Sequence, residues 1–252
     1  MSVVISTIIL SATLLVVVLT ASGYANALLR GEVENSEFSQ AKEVLSSIDR
    51  LIEKVTSTSG SSGYIRCGFV TTYPIVENTG KSLSLYAGGN LLKQVDTTVV
   101  KIRGGRDVTG TFRTISGGSA PLVFGVSTPL GWLYTNRSDA EDTVLDYSRA
   151  RCVYKGIVQL YNGTGYQNFN QVELTIVKLN RGSVSFGSTG AFVINNNDFE
   201  TTQLQYSGNF SISAQFGGLI QNTSLSQLGG NAGYQTLLNL FVVSVTVSVV
   251  QG

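Results

Sequence analysis

Two hydrophobic patterns divide the chain. From Met1 to Leu29 apolar residues run on with only Ser, Thr, Gly, Tyr and Asn between them, and the first charged side chain is Arg30. This stretch, MSVVISTIILSATLLVVVLTASGYANALL, has no proline and exceeds the roughly 20 residues that cross a bilayer as a helix. Its β-branched residues do not oppose that reading, because a lone segment in lipid must satisfy its own backbone. Past Arg30 the apolar positions thin to a stripe at Phe38, Ala41, Val44, Leu45, Ile48, Leu51, Ile52 and Val55. Steps of three and four are the period of one helical face. Glu43, Ser46, Asp49, Arg50 and Glu53 fall between them. One helix is expected over 1–57, apolar all round over 1–29 and amphipathic over 30–57, about 80 Å long at 1.5 Å per residue. STSGSSG, Ser57 to Gly63, ends it as a short flexible joint.

From Tyr64 the period changes to two. Runs rich in Val, Ile, Thr, Tyr and Phe alternate with Gly, Asn and Ser clusters. Strands are expected at 64–70, 81–87, 97–103, 111–116, 121–126, 151–161, 171–179, 182–187, 201–207, 210–216 and 240–250. The last is the clearest, with Val243, Val245, Val247 and Val249 on one face and Ser244, Thr246 and Ser248 on the other. It is too short for a second spanning helix. The fold class expected is α+β: a long N-terminal helix followed by a mainly antiparallel β-sandwich head over 64–252.

Composition sharpens this picture. Charged residues make up 13% of the 252, against roughly 25% in ordinary soluble domains, which suits an extracellular β-rich surface. A net charge of +1 gives no electrostatic reason to expect nucleic acid. With no histidine, the chain lacks the usual general base and the commonest transition-metal ligand, which argues against an enzyme. The two cysteines, Cys67 and Cys152, form no CxxC motif. In an oxidising compartment the simplest expectation is one disulfide closing a long loop, stabilising by up to about 4–5 kcal/mol; two separate buried thiols are the alternative.

Four sequons, at Asn136, Asn162, Asn209 and Asn222, all lie in the β part and none in the helix. On a secreted head they predict surface N-glycans, with ordinary turn asparagines as the alternative. The acidic segment NRSDAEDT, with Asn136, Asp139, Glu141 and Asp142, does not follow the EF-hand order and reads as a solvated turn, as does NNNDFE at 195–200. No catalytic, cofactor-binding or metal-binding residues are assigned. Gly104-Gly105 and Gly117-Gly118 open no helix, so they are loop glycines and not phosphate cradles. Lys101, Arg103, Arg106 and Arg113 read as charge guarding a sheet edge. Ala21 and Ala25, like Gly23 and Ala27, lie four apart; such a ladder of small residues lets helix backbones approach closely.

A nearly uncharged helix running directly into an amphipathic half, EFSQAKEVLSSIDRLIEKV, then a Ser/Gly joint and a β head, resembles archaeal type IV pilins and the related archaellins. The likeness is close over the first quarter and architectural beyond it. Apolar residues around Ile5, where bacterial pilins usually have a glutamate, favour the archaeal branch. No basic leader precedes Met1, so the chain is read as already processed or as never processed. The resemblance implies a homopolymer built through the N-terminal helices and inserted in the cytoplasmic membrane before assembly. It further implies processing by a prepilin peptidase, work from an assembly ATPase on a membrane platform, and surface N-glycans. The alternative is a monomeric, membrane-anchored surface module, such as an archaellum stator-like or envelope-binding protein. A membrane-tethered enzyme or carbohydrate-binding head, and a filament joined by strand donation from the terminal strand, stand further back.

Overall fold

The computed structural model describes residues 2–105, 108, 111–137, 141–161, 163–187, 189–208 and 210–251. Among the described residues one helix is present, α1, which spans Ser2–Val55. Thirteen strands follow among the described residues: β1 Ser62–Gly68, β2 Tyr73–Ala87, β3 Asn90–Arg103, β4 Arg113–Ser116, β5 Leu122–Phe124, β6 Trp132–Arg137 and β7 Glu141–Asp146, then β8 Ala150–Tyr161, β9 Tyr166–Val184, β10 Thr189–Tyr206, β11 Ser211–Phe216, β12 Leu219–Ser224 and β13 Gln235–Gln251. They form a six-stranded sheet, β1-β10-β13-β9-β8-β5, and a seven-stranded sheet, β12-β11-β2-β3-β7-β6-β4. The expected α+β architecture with a sandwich-like head is present. The seven-stranded sheet is antiparallel throughout. The six-stranded sheet is mixed, because β13 runs parallel to β9 and β5 parallel to β8.

The long central strands serve two cores. From Leu238 onward the buried side chains of β13 are Leu238, Leu240 and Val242, then Val243, Val245, Val247 and Val249. In its neighbour β9 the same change of parity falls between Ile176 and Val177, which pair with Val242 and Val243. Register between the two strands is continuous there, and successive side chains of a strand point to opposite faces. The two cores therefore cover opposite faces of this sheet. One joins Leu238, Leu240 and Val242 to Leu83, Leu85, Val95, Ile212 and Leu225. The other joins Val243 to Val249 to Ala41, Leu45, Ile48 and Ile52 of α1 and to Val100, Ile102, Leu133 and Leu145 of the second sheet. The amphipathic half of the helix is thus a core element of the head.

Sequence and structure differ where tertiary context overrides local pattern. The strands β6, β7 and β12 lie outside the expected set. β7, EDTVLD, has three acids in six residues, yet every residue in it is buried. The segment read as a solvated turn is therefore in part a central strand, paired on both sides, and Asp139 lies outside the described residues. NNNDFE is likewise not a turn but part of β10, with an irregularity in register between Asn196 and Asp198. Lys101 and Arg103 guard no edge, because β3 lies between β2 and β7; Lys101 pairs with Glu77 and Arg103 with Asp142 at 3.0 Å. Arg113 does sit on the edge strand β4, whereas Arg106 lies outside the described residues.

The disulfide expectation is corrected. Cys67 and Cys152 are both buried, free thiols, and they belong to different cores. They occupy β1 and β8, with β10, β13 and β9 between them. Four strand spacings amount to about 19 Å, and a disulfide tolerates about 7 Å between Cα atoms. Cys67 lies level with Gln251 of β13 and Cys152 level with Leu240, which separates them along the strands as well. Burial raises both thiol pKa values, that of Cys67 to about 11 and that of Cys152 to about 12, so neither is primed as a nucleophile. Two thiols should react with an alkylating reagent only after denaturation, with no prior reduction; a linked Cys67–Cys152 peptide in unreduced digests would contradict this placement. Ile48→Ala, at a fully buried helix position, should cost about 2–5 kcal/mol in denaturant unfolding.

Candidate assembly surface

Among the described residues, 5–30 of α1 are exposed throughout. Ile8, Leu10, Leu14, Val17 and Leu19 are each more than 60% exposed, and Gly23 has no atom of another element within 4 Å of where a Cβ would stand. The helix is long and apolar enough to cross a membrane, and its most apolar window is wholly unburied. Three of its hydroxyls bond within the helix: Ser11 donates to the Thr7 carbonyl, Thr13 to Ile9 and Leu10, and Thr20 to Val16 and Val17. They therefore do not require water, and the segment suits either lipid or a bundle of helices. Ala21, Gly23, Ala25 and Ala27, the proposed packing ladder, all lie in this exposed stretch.

Docking on the head begins at Glu34 and Phe38, which are buried where Val33 is still 47% exposed. Beyond the apolar stripe, three helix acids reach across to the head. The Glu37 carboxylate accepts the Val70, Thr71 and Thr72 backbone N–H groups at 2.8, 2.8 and 3.2 Å, and the Thr71 hydroxyl at 2.6 Å. Asp49 accepts the buried Tyr147 hydroxyl at 2.5 Å. Glu53 accepts the Leu130 N–H at 3.2 Å and Arg151 at 2.8 Å. Two glycines make the close approach possible. A Cβ at Gly105 would collide with the Glu34 carboxylate, and one at Gly131 with that of Asp49.

At the end of the helix, Asn196 Nδ2 donates to the Val55 and Thr58 carbonyls at 2.9 and 3.0 Å, and Ser61 Oγ donates to the same two. These bonds occupy carbonyls that a helix end leaves open. The Ser/Gly joint, expected as flexible, is tied to β10 by these bonds and by Asn196 N–H donating to the Ser61 carbonyl at 2.9 Å. Asn196 continues the inward alternation of Phe192 and Ile194, which aims its side chain at the helix end, and the register irregularity of β10 follows it.

Burial raises the pKa of both Asp49 and Glu37, yet their net shifts are opposite. Desolvation raises the Asp49 pKa, and the Tyr147 hydrogen bond only partly offsets it. For Glu37 desolvation also pushes upward, but the four hydrogen bonds to 70–72 outweigh it and the net shift is downward. A lowered carboxylate pKa means that the unfolded chain binds the proton more tightly. Glu37 therefore contributes stability above its unfolded value of 4.5, and that contribution disappears as pH falls through the folded value.

Of the sequons, Asn136 on β6 and Asn222 on β12 are exposed, and Asn162 and Asn209 lie outside the described residues. Among the chemistry-bearing side chains, Asp142 is held by Arg103, and Glu141 is buried at the start of β7. The three acidic anchors went unnoticed in the helical pattern, where polar positions carry no sign of a partner; only the four-residue spacing of Asp49 and Glu53 marks one side of the helix. No protein family, no curated protein and no solved structure matches this chain.

Glu37→Gln should destabilise the head by about 1–3 kcal/mol near neutral pH, because a charge-assisted acceptor is replaced by a neutral one. In urea unfolding the difference from the parent should shrink toward zero as pH falls through the lowered folded-state pKa of Glu37. A difference independent of pH would show that the Glu37 charge is not what holds 70–72.

Proposed function

We propose that this chain is the structural subunit of an extracellular filament of the archaeal type IV pilus kind, polymerising through residues 1–29. The observation that supports it is the unbroken run of α1 from a wholly exposed apolar rod into a half that forms part of the head's core. A rod that is one piece with the head fixes where each head sits relative to neighbouring rods. The roughly twenty apolar side chains involved, at about 1.5–3 kcal/mol each, cannot remain in water. A bilayer and a bundle of identical helices hide them about equally, so close packing decides between the two. Residues 1–29 extend about 43 Å at 1.5 Å per residue, well beyond the roughly 30 Å of hydrocarbon that a plain anchor must cross.

On this reading the subunit waits in the cytoplasmic membrane and is drawn into the filament by an assembly ATPase acting on a membrane platform, as the pilin resemblance implies. The heads face outward with N-glycans on exposed sequons. No chemical step is required of the subunit itself. The competing reading, a monomeric anchored module, keeps the same segment in lipid permanently.

Val17→Asp should abolish filaments, because an unpaired charge in the bundle costs several kcal/mol at every subunit; membrane levels of the variant must be measured beside it. Gly23→Leu with Ala25→Leu is the more discriminating change. Both positions are open in the isolated subunit, so the head and membrane insertion should be unaffected while assembly weakens. Normal filaments from that double variant would remove the close-packing argument. A parent protein found only as a membrane monomer would leave the anchored module in its place.

A further inference from the structure

Strand β6 carries a stack of rings that its neighbours hold in place. Leu133 and Thr135 point inward and are buried, so Trp132, Tyr134 and Asn136 share the outward face. The Trp132 and Tyr134 rings stack at 4.0 Å between centroids with 29° between planes. Arg149, only 2% exposed, places its guanidinium 5.5 Å from the Trp132 ring. Trp132 Nε1 donates to Thr114 Oγ1 at 3.3 Å, and Phe112 leans on both rings at 6.3 and 5.8 Å. Phe112 is nevertheless 61% exposed, as is Ile115 at 41% on the edge strand β4. Trp132 and Tyr134 are half-buried, so an aromatic surface held this firmly is left partly open to solvent, and it fits a partner with flat, partly apolar faces.

The next outward residue along this stack is Asn136, the asparagine of the Asn136-Arg137-Ser138 sequon, and it is exposed. Residues two apart on one strand face are separated by about 7 Å. A saccharide ring joined to the Asn136 amide nitrogen therefore starts within one ring's width of Tyr134. Sugars present a face of C–H groups to aromatic planes and keep their hydroxyls at the rim, which is the complement this surface asks for. Among the sequons placed on described residues, Asn222 has Ile220 rather than an aromatic ring two residues earlier.

We infer that the Phe112–Trp132–Tyr134 surface is the seat of the chain's own Asn136-linked saccharide, whose first ring lies against Tyr134 and continues the stack. This rests on the extracellular reading above but not on polymerisation. The sugar is then a structural part of the outer sheet face, covering apolar rings beside the edge strand β4 and blunting that edge against pairing with other chains.

A four-way comparison tests it on full-length, detergent-solubilised protein from native material: the parent, Asn136→Gln, Tyr134→Leu and the two combined. Intact mass should show a saccharide on the parent that Asn136→Gln lacks. Removing the sugar should lower the melting temperature by about 2–4 °C in the parent, the shift expected for one stacking contact in a chain of this length, and by much less in the Tyr134→Leu background. Should Tyr134→Leu not fold, a second readout needs no aromatic substitution. Protons of the first sugar should be shifted upfield by the Tyr134 ring in the parent's NMR spectrum. A bare Asn136 overturns the inference. So does a glycosylated Asn136 whose loss costs the same in both backgrounds, or whose sugar protons resonate as in a free glycopeptide. Electron microscopy of the same preparations reads the filament proposal separately, so the two can fail independently.

Discussion

The chain cannot cover its own N-terminal helix, and most of its architecture follows from that. A helix that buried its apolar half within the same head would need a far larger β domain. Here the head covers α1 only from Glu34 onward, and the preceding stretch is left as a bare apolar rod. Water is excluded as a permanent environment for that rod by the cost of hydrating so many side chains. Lipid or copies of the same helix remain, and both demand a segment without uncompensated polar groups. The back-bonded Ser11, Thr13 and Thr20 hydroxyls meet that demand at their own positions.

If the rod transmits position, the joint between rod and head must not bend. Three kinds of contact hold it. Ala41, Leu45, Ile48 and Ile52 enter a core shared with both sheets. Glu37, Asp49 and Glu53 bond to backbone and side chains of the head along the helix flank. Asn196 and Ser61 close the helix end. The long strands β9 and β13 carry this arrangement through the head, because their opposite faces serve the helix-containing core and the core between the sheets.

Patterns of period were legible in the sequence; pairings were not. The change from continuous to striped apolar residues near Arg30 marks where the helix begins to dock, and the valines of β13 alternate as their burial requires. β7 was hidden because its acids look like a turn until Arg103 and the flanking strands are beside them. The parallel pairing of β13 with β9 was equally invisible, since it joins segments separated by three strands, β10 to β12, and their loops. That same topology puts Cys67 and Cys152 on strands too far apart to bond, where sequence alone saw only two cysteines in a secreted-type chain. The aromatic surface on β6 had a local sign, a Trp-x-Tyr alternation leading into a sequon, but its meaning depends on which face those residues share.

The central claim is that the exposed rod is covered by copies of itself. Helical reconstruction by electron microscopy of fibres shed from the cell surface tests it most directly. The account predicts a fibre whose axis is a bundle of α1 helices, with residues 1–29 ordered, shielded from solvent and in contact across Gly23 and Ala25, and with β heads outside. Recovery of the protein solely from membranes, as single copies with residues 1–29 surrounded by lipid, would contradict it.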